Sequence, residues 1–345
     1  MQLDETRRPS APGRIGANLL ALAILFLIPC APALAAHYTL RLATWGSPAA
    51  PQVSAFVPAF TKLLAQESHG AITVQHFPAG SLVKEQVVPQ SVETRVTDIS
   101  LGTIGSFTSI APPAAVMNTI FFRPPENRFE QAVGPGTPLF KALDAALRKH
   151  GMLLLALLDN GPPMVVSHVP MTSPAAFKGR TVRAYDRLST QIIQALGGAP
   201  STISVSDVYP ALQRGTVSAA IGGIQGEIGL REYEVAKYLL DPNGLFSVGV
   251  TIYVMNAHAL RELPKPLQQA VITAGAKAGT IANKAIIASF KSDLIAMQQH
   301  GMTVTVIEPG TPAYQAFAAA LAPLSKAEQK KYPPALVAEA LRASQ

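Results

Sequence analysis

Arg183, in the segment TVRAY (181–185), is the side chain of this sequence best suited to act on a charged molecule. A guanidinium presents a planar fork of donors that matches the two oxygens of a carboxylate, and it stays charged when water is removed. TVRAY reads as a short strand, and in open α/β sheets ligands collect beyond the carboxyl ends of the strands. Taken alone, an arginine at a strand end is most simply a solvated surface charge, so the assignment depends on its surroundings. Arg180 lies three residues away, and strand alternation sends it to the opposite face. Arg187 reads as an exposed first-turn residue of the next helix, in reach of a second acid only in principle.

Catalytic patterns are weak. Ser81-x-x-Lys84 fits the SxxK pattern of serine acyl-enzymes, yet neither SDN nor KTG accompanies it, and no GxSxG occurs. The 7 histidines show neither HExxH nor HxxxH spacing and the only cysteine is Cys30, which argues against a dedicated zinc site. No P-loop and no GxGxxG follows a strand. Asp98, Asp159 and Asp207 stand apart from one another and read as caps or turn residues, not as a catalytic pair.

The elements that position Arg183 occupy residues 177–223. After TVRAY, Asp186 caps a helix whose Leu188, Ile192, Ile193 and Leu196 share one face, and Gly197-Gly198 stops it. TISV is expected as a strand, Ser206 or Asp207 as the cap of VYPALQRG, and TVSAAIGG as a further strand. Short strands alternating with short helices predict an α/β layer with parallel pairing. Upstream, HYTLRLATW, AITVQHF and DISLGT read as strands separated by helices over 51–67 and 85–94. A loop-rich stretch over 110–145, broken by Pro112-Pro113 and Pro124-Pro125, leads to a helix near 139–150. MLLLALLD reads as a buried strand, VGVTIYVMN as another, and 265–300 as an unusually long helix.

These segments together resemble the substrate-binding proteins of the tripartite ATP-independent periplasmic (TRAP) transporters, dicarboxylate-binding type. FKGRTVRA is similar to the family's "lKGlKiRv" strand, and ALGGAPSTISVSDVYPALQRGTVSA to the run that follows it. HFPAGSLVKEQVVPQSVETRVTD matches the acidic run of the opening βαβ unit. TIYVMNAHALRELPKPLQQAVITAGAKA matches a late segment, so the likeness covers roughly 38–310. It implies a two-lobed α/β periplasmic binding protein fold, with hinge strands crossing between lobes and a long helix straddling both. The first lobe would hold 37–158 with 248–285 and the second 159–247 with 286–345, the tail after Pro309 lying outside the second lobe. It further implies a receptor, not an enzyme, that closes on a small organic acid and delivers it to the small and large membrane subunits of a permease. No cofactor or metal is implied. Arg183 would grip the ligand's carboxylate, with further contacts from Trp45, Thr103, Gly105, Gly161, Tyr209, Gly222 and Gln225.

Two departures matter. Sialic-acid-type members carry an arginine two residues after the glycine matched by Gly161, where this chain has Pro163. They also carry an acid and an asparagine where this chain has SAAIGG (218–223). The ligand is therefore expected to have fewer polar groups or to be held by other contacts. The rival readings are a sensor or scavenger of the same fold without a permease, and a secreted hydrolase using Ser81.

Residues 1–36 read as a secretory signal: Arg7, Arg8 and Arg14 precede the apolar run from Leu19 to Ile28, with cleavage near Ala35 or Ala36. Pro29 before Cys30 argues against lipidation, and the mature periplasmic chain of about 310 residues would be long enough for two domains. No later apolar run is long enough for a mature membrane anchor. The formal charge of +7 is scattered along the chain among sparse aromatics, which disfavours nucleic acid as a partner and suits an anionic one.

Overall fold

Apolar alternation sorts the strands into two mixed sheets, seen in a computed structural model that describes residues 37–345. The expected signal, with Cys30, lies outside the described residues. The first sheet contains β1 (Tyr38–Ala43), β2 (Ile72–Phe77), β3 (Ile99–Thr103), β4 (Met152–Asp159) and β10 (Val250–Asn256) in the order β2-β1-β3-β10-β4. β1 runs parallel to both β2 and β3, whereas β10 is antiparallel to β3 and β4. The second sheet contains β5 (Met164–Ser167), β6 (Thr181–Ala184), β7 (Ala199–Thr202), β8 (Ala219–Gly222), β9 (Tyr238–Asp241) and β11 (Thr303–Val306) in the order β11-β9-β5-β8-β6-β7. β6 is parallel to both of its neighbours, as the alternation of elements predicts.

Each sheet is the centre of a lobe because each buries both faces. Met152, Leu154 and Leu157 of β4 face one cluster with Val250, Ile252 and Val254, while Leu153, Leu155, Ala156 and Leu158 face another with Tyr253 and Met255. A run apolar on every residue is what a strand covered on both faces requires. The helix Lys265–Gln299 closes one of these faces. Ala270, Ala274, Ala278 and Ala282 lie against the first lobe, whereas Phe290, Leu294 and Met297 reach the second. This helix straddles both lobes, as expected. The small side chains set its depth: a Cβ on Gly279 would stand 2.9 Å from Ala156 Cβ.

Two of the chain's crossings between sheets run side by side. β4 leads through 160–163 into β5, and the return from β9 leads through 242–249 into β10. The crossings are stitched together, for Asn160 N donates to the Gly249 carbonyl at 2.8 Å and Gly249 N donates to the Gly161 carbonyl at 2.9 Å. Gly161 has φ +70, in the left-handed region that a side chain disfavours.

Several expectations shift. The strand after the first helix of the second lobe is Ala199–Thr202, not TISV, and Pro200 is accommodated because β7 is the edge strand. Neither Ser206 nor Asp207 caps the following helix with its side chain; a single 3-10 turn, Val205–Asp207, leads into Val208–Gln213 instead. Pro112-Pro113 begins the short helix Pro112–Met117, since proline is compatible with a first turn. The tail divides. Helix Pro312–Gln329 packs on the second lobe through Phe317 and Leu321, but helix Pro334–Ala343 returns to the first, burying Val337 and Ala340 against its core.

Candidate functional site

β6 carries Arg183 to the facing edges of the two lobes. Thr181 is exposed and the next three residues are buried, with Arg183 itself 3% exposed. The guanidinium is held in place by the backbone of neighbouring segments. Nε donates to the Ile203 carbonyl just beyond β7 at 3.0 Å, and Nη1 donates to the Ile221 carbonyl on β8 at 2.9 Å. Its Cζ lies 5.5 Å from the centre of the Tyr185 ring. Two carbonyl anchors leave Nη2 without a hydrogen bond among the described residues.

Around it lies a cavity of about 300 Å³ between the lobes. Trp45, Thr103 and Gly105 come to it from the first lobe, Gly222 and Arg183 from the second, and Gly161 from a crossing strand. These six expected residues therefore share one site. Trp45 stands half-buried, packed against both cores of the first lobe, with Nε1 inside and unpartnered. Thr103 Oγ1 lies 3.0 Å from Ser106 Oγ. Gly105 marks a close approach of the lobes, since a Cβ there would meet Asp186 Oδ2 at 2.6 Å.

One expected residue is not brought in. Tyr209 points away from the cavity and donates its hydroxyl to Glu234 Oε2 at 3.0 Å, because its helix turns that face outward. The side chain of Gln225 lies outside the described residues, although its backbone belongs to the helix Ile224–Gly229. Arg180 donates to the Ala176 carbonyl, and Arg187 lies against Glu328 and Tyr332 of the tail. Both lie outside the cavity, as their positions in the sequence suggest.

The structure also brings in residues that sequence reasoning did not single out. Glu85 and Glu232 line the cavity, and both are buried. Burial pushes the Glu85 carboxyl up to about 7, aided by the charge of Asp186, while Arg183 and the Thr103 hydroxyl pull it down. Burial likewise pushes Glu232 up to about 7 against the pull of Arg183. Gln52, Asn118, Asn160 and Tyr185 add to the polar lining. Glu85 had a signal, since it stands at an acidic position of the matched run; Glu232, inside REYEVAKY, had none. Asn118 Nδ2 donates to Asp186 Oδ2 at 2.7 Å, joining the lobes at the rim. Asp186 also caps its helix through Oδ1, which accepts from Ser189 N at 2.8 Å.

Such an arrangement binds an anion. Among the described residues its lining holds one cation, Arg183, around a volume suited to a small molecule, with both crossing segments beside it. Among the described residues no group of three or more His, Cys, Asp or Glu is placed to hold a metal ion. No described helix is long and apolar enough to cross a membrane.

Comparison with known proteins agrees with this geometry. The model of the bacterial extracellular solute-binding protein family 7 (DctP) matches residues 42–331. The chain belongs to that family. Among relatives, the C4-dicarboxylate-binding periplasmic protein DctP of Rhodobacter capsulatus is 24% identical over 293 residues, covering 84% of each chain. An uncharacterized Haemophilus influenzae protein is 28% identical over 71% of this chain and 74% of its own. The chain spans 37% of the length of another relative, protein y4mM of Sinorhizobium fredii, at 27% identity. Of solved structures, a TRAP periplasmic solute-binding protein of Shewanella oneidensis with bound succinate superposes with TM-score 0.81 at 17% identity, covering 90% of this chain and 100% of that one. The Roseobacter denitrificans protein with bound β-D-glucuronate gives 0.78 at 23%, covering 88% and 99%.

Proposed function

We propose that this family 7 chain is the extracytoplasmic receptor of a TRAP transporter. It binds a small organic carboxylate between its lobes and delivers it to the membrane subunits without breaking a bond. The observation that carries the reading is Arg183: a cation 3% exposed, oriented by two carbonyls, facing an enclosed cavity between two sheets. Desolvating a guanidinium beside its carboxylate strengthens the pair, and closure of the lobes supplies that desolvation. Hinge closure follows because a ligand that touches both lobes favours the closed state. The Shewanella and Roseobacter proteins hold acids in the same fold, which supports this class of ligand.

In this reading the first lobe comprises 37–158 with 248–285, extended by the tail helix Pro334–Ala343, and the second comprises most of the remainder. Residues 1–36 direct export. Titration calorimetry of the mature protein against a panel of organic acids tests the proposal. Arg183→Lys, which keeps charge but loses the fork, is expected to weaken the best acid by about 2–5 kcal/mol. Unchanged affinity in Arg183→Ala would remove Arg183 from the site.

A further inference from the structure

The cavity that holds Arg183 is acidic on its other walls. Glu85, at the start of a helical turn in the first lobe, is 5% exposed, and Glu232, in the second lobe, is 3% exposed. Oε2 of Glu85 is buried without a hydrogen-bond partner, and the Glu232 side chain accepts no hydrogen bond among the described residues. Neither forms an ion pair with Arg183, whose Nε and Nη1 are already taken by carbonyls. A buried carboxylate with an empty acceptor is costly unless a donor satisfies it. The Thr103 hydroxyl serves the Glu85 carboxyl, and for Glu232, which lines the cavity, the donor is left to the cavity's occupant.

Charge points the same way. One guanidinium faces two carboxyl groups, so a ligand with a single carboxylate uses the cation fully. A second ligand carboxylate would enter an enclosed space already lined by acids, where like charges repel strongly. A hydroxyl, an amide N–H or an ammonium group meets the opposite condition.

We infer that Glu85 and Glu232 form a donor-reading subsite opposite Arg183, so that the ligand is a monocarboxylate bearing a hydroxyl, N–H or ammonium group rather than a dicarboxylate. The inference rests on the proposed carboxylate-binding role of Arg183 and narrows it.

The test is calorimetry with chain-length-matched probes: succinate, 4-hydroxybutyrate, 4-aminobutyrate and butyrate, with the five-carbon equivalents. The hydroxy or amino acid of one length is expected to bind at least about ten-fold more tightly than its dicarboxylate and than the plain acid. Glu85→Gln with Glu232→Gln should reduce that preference over the dicarboxylate to within about three-fold. If succinate or its homologue binds as tightly as the donor-bearing acids, and Arg183→Ala abolishes it, the acidic subsite is wrong while the carboxylate reading stands. A preference left intact in the double variant also overturns the subsite. Binding by none of these acids overturns both. Should the variants fail to fold, wild-type calorimetry in two buffers of different ionisation enthalpy decides: 4-aminobutyrate should release protons near pH 7 as the carboxyl groups ionise, and zero release or uptake overturns the inference.

Discussion

Arg183 illustrates how one residue is tied into the fold while lining the cavity. Its removal is expected to destabilise the unliganded protein, because two buried carbonyls and two buried acids lose their cation together. Trp45 is the chain's only tryptophan, and it lines the cavity. A bound acid is therefore expected to change its fluorescence, and a flat titration with a ligand proven by calorimetry would exclude it from the site. Glu85 and Glu232 also set a pH dependence. Each holds its proton in the folded state up to about 7, whereas the unfolded value is near 4.5. The folded chain thus binds more protons between these values, and stability falls as pH rises through 7. The groups facing them are Arg183, Asp186 and Tyr185. Unliganded wild type is expected to lose about 5 kcal/mol relative to the Glu85→Gln/Glu232→Gln variant between pH 5 and 8. Denaturant titrations at both pH values measure this, and the comparison cancels His76, whose lowered value acts in the opposite direction. Parallel curves would mean that these acids are not buried together with Arg183.

Among the elements, the helix capped by Asp186 was readable from its residues, and its Ser189 completes a capping box. The neighbouring strand was placed three residues late because TISV looks better as a strand than APST. Pairing with β6 decided otherwise, since Val182 lies opposite Pro200 and Arg183 opposite Ser201. Local propensity lost to the ladder. The short turn at Gly105 has consequences for closure. An alanine there would drive its Cβ into Asp186 Oδ2 at 2.6 Å and against Asn118 Nδ2 at 3.2 Å. Gly105→Ala is expected to hold the rim apart, weakening ligand binding by about ten-fold or more while changing apo stability by less than about 1 kcal/mol. Small-angle scattering with and without ligand checks the cause: compaction on binding should be present in wild type and absent in the variant.

At the level of the molecule, the long helix that straddles both lobes is fixed to the first at Asn283. Its Oδ1 accepts from Asp159 N at 2.9 Å and its Nδ2 donates to the Leu157 carbonyl at 3.1 Å, at the point where β4 leaves the first sheet. Asn283→Ala removes two buried bonds and is expected to cost about 2–3 kcal/mol in urea unfolding. A loss under about 0.5 kcal/mol would mean that the helix is anchored by its alanine and glycine stripe alone. The sequence by itself determined the elements, the apolar crossing strand, the straddling helix and Arg183, because periodicity, capping and a long motif are local signals. Only the tertiary structure decided that Tyr209 faces outward, that the last helix returns to the first lobe, and that Glu85 and Glu232 meet Arg183 in one cavity. Those facts depend on contacts between residues far apart in the chain, 147 positions in the case of Glu85 and Glu232, and no local pattern records which buried acid will face which distant cation.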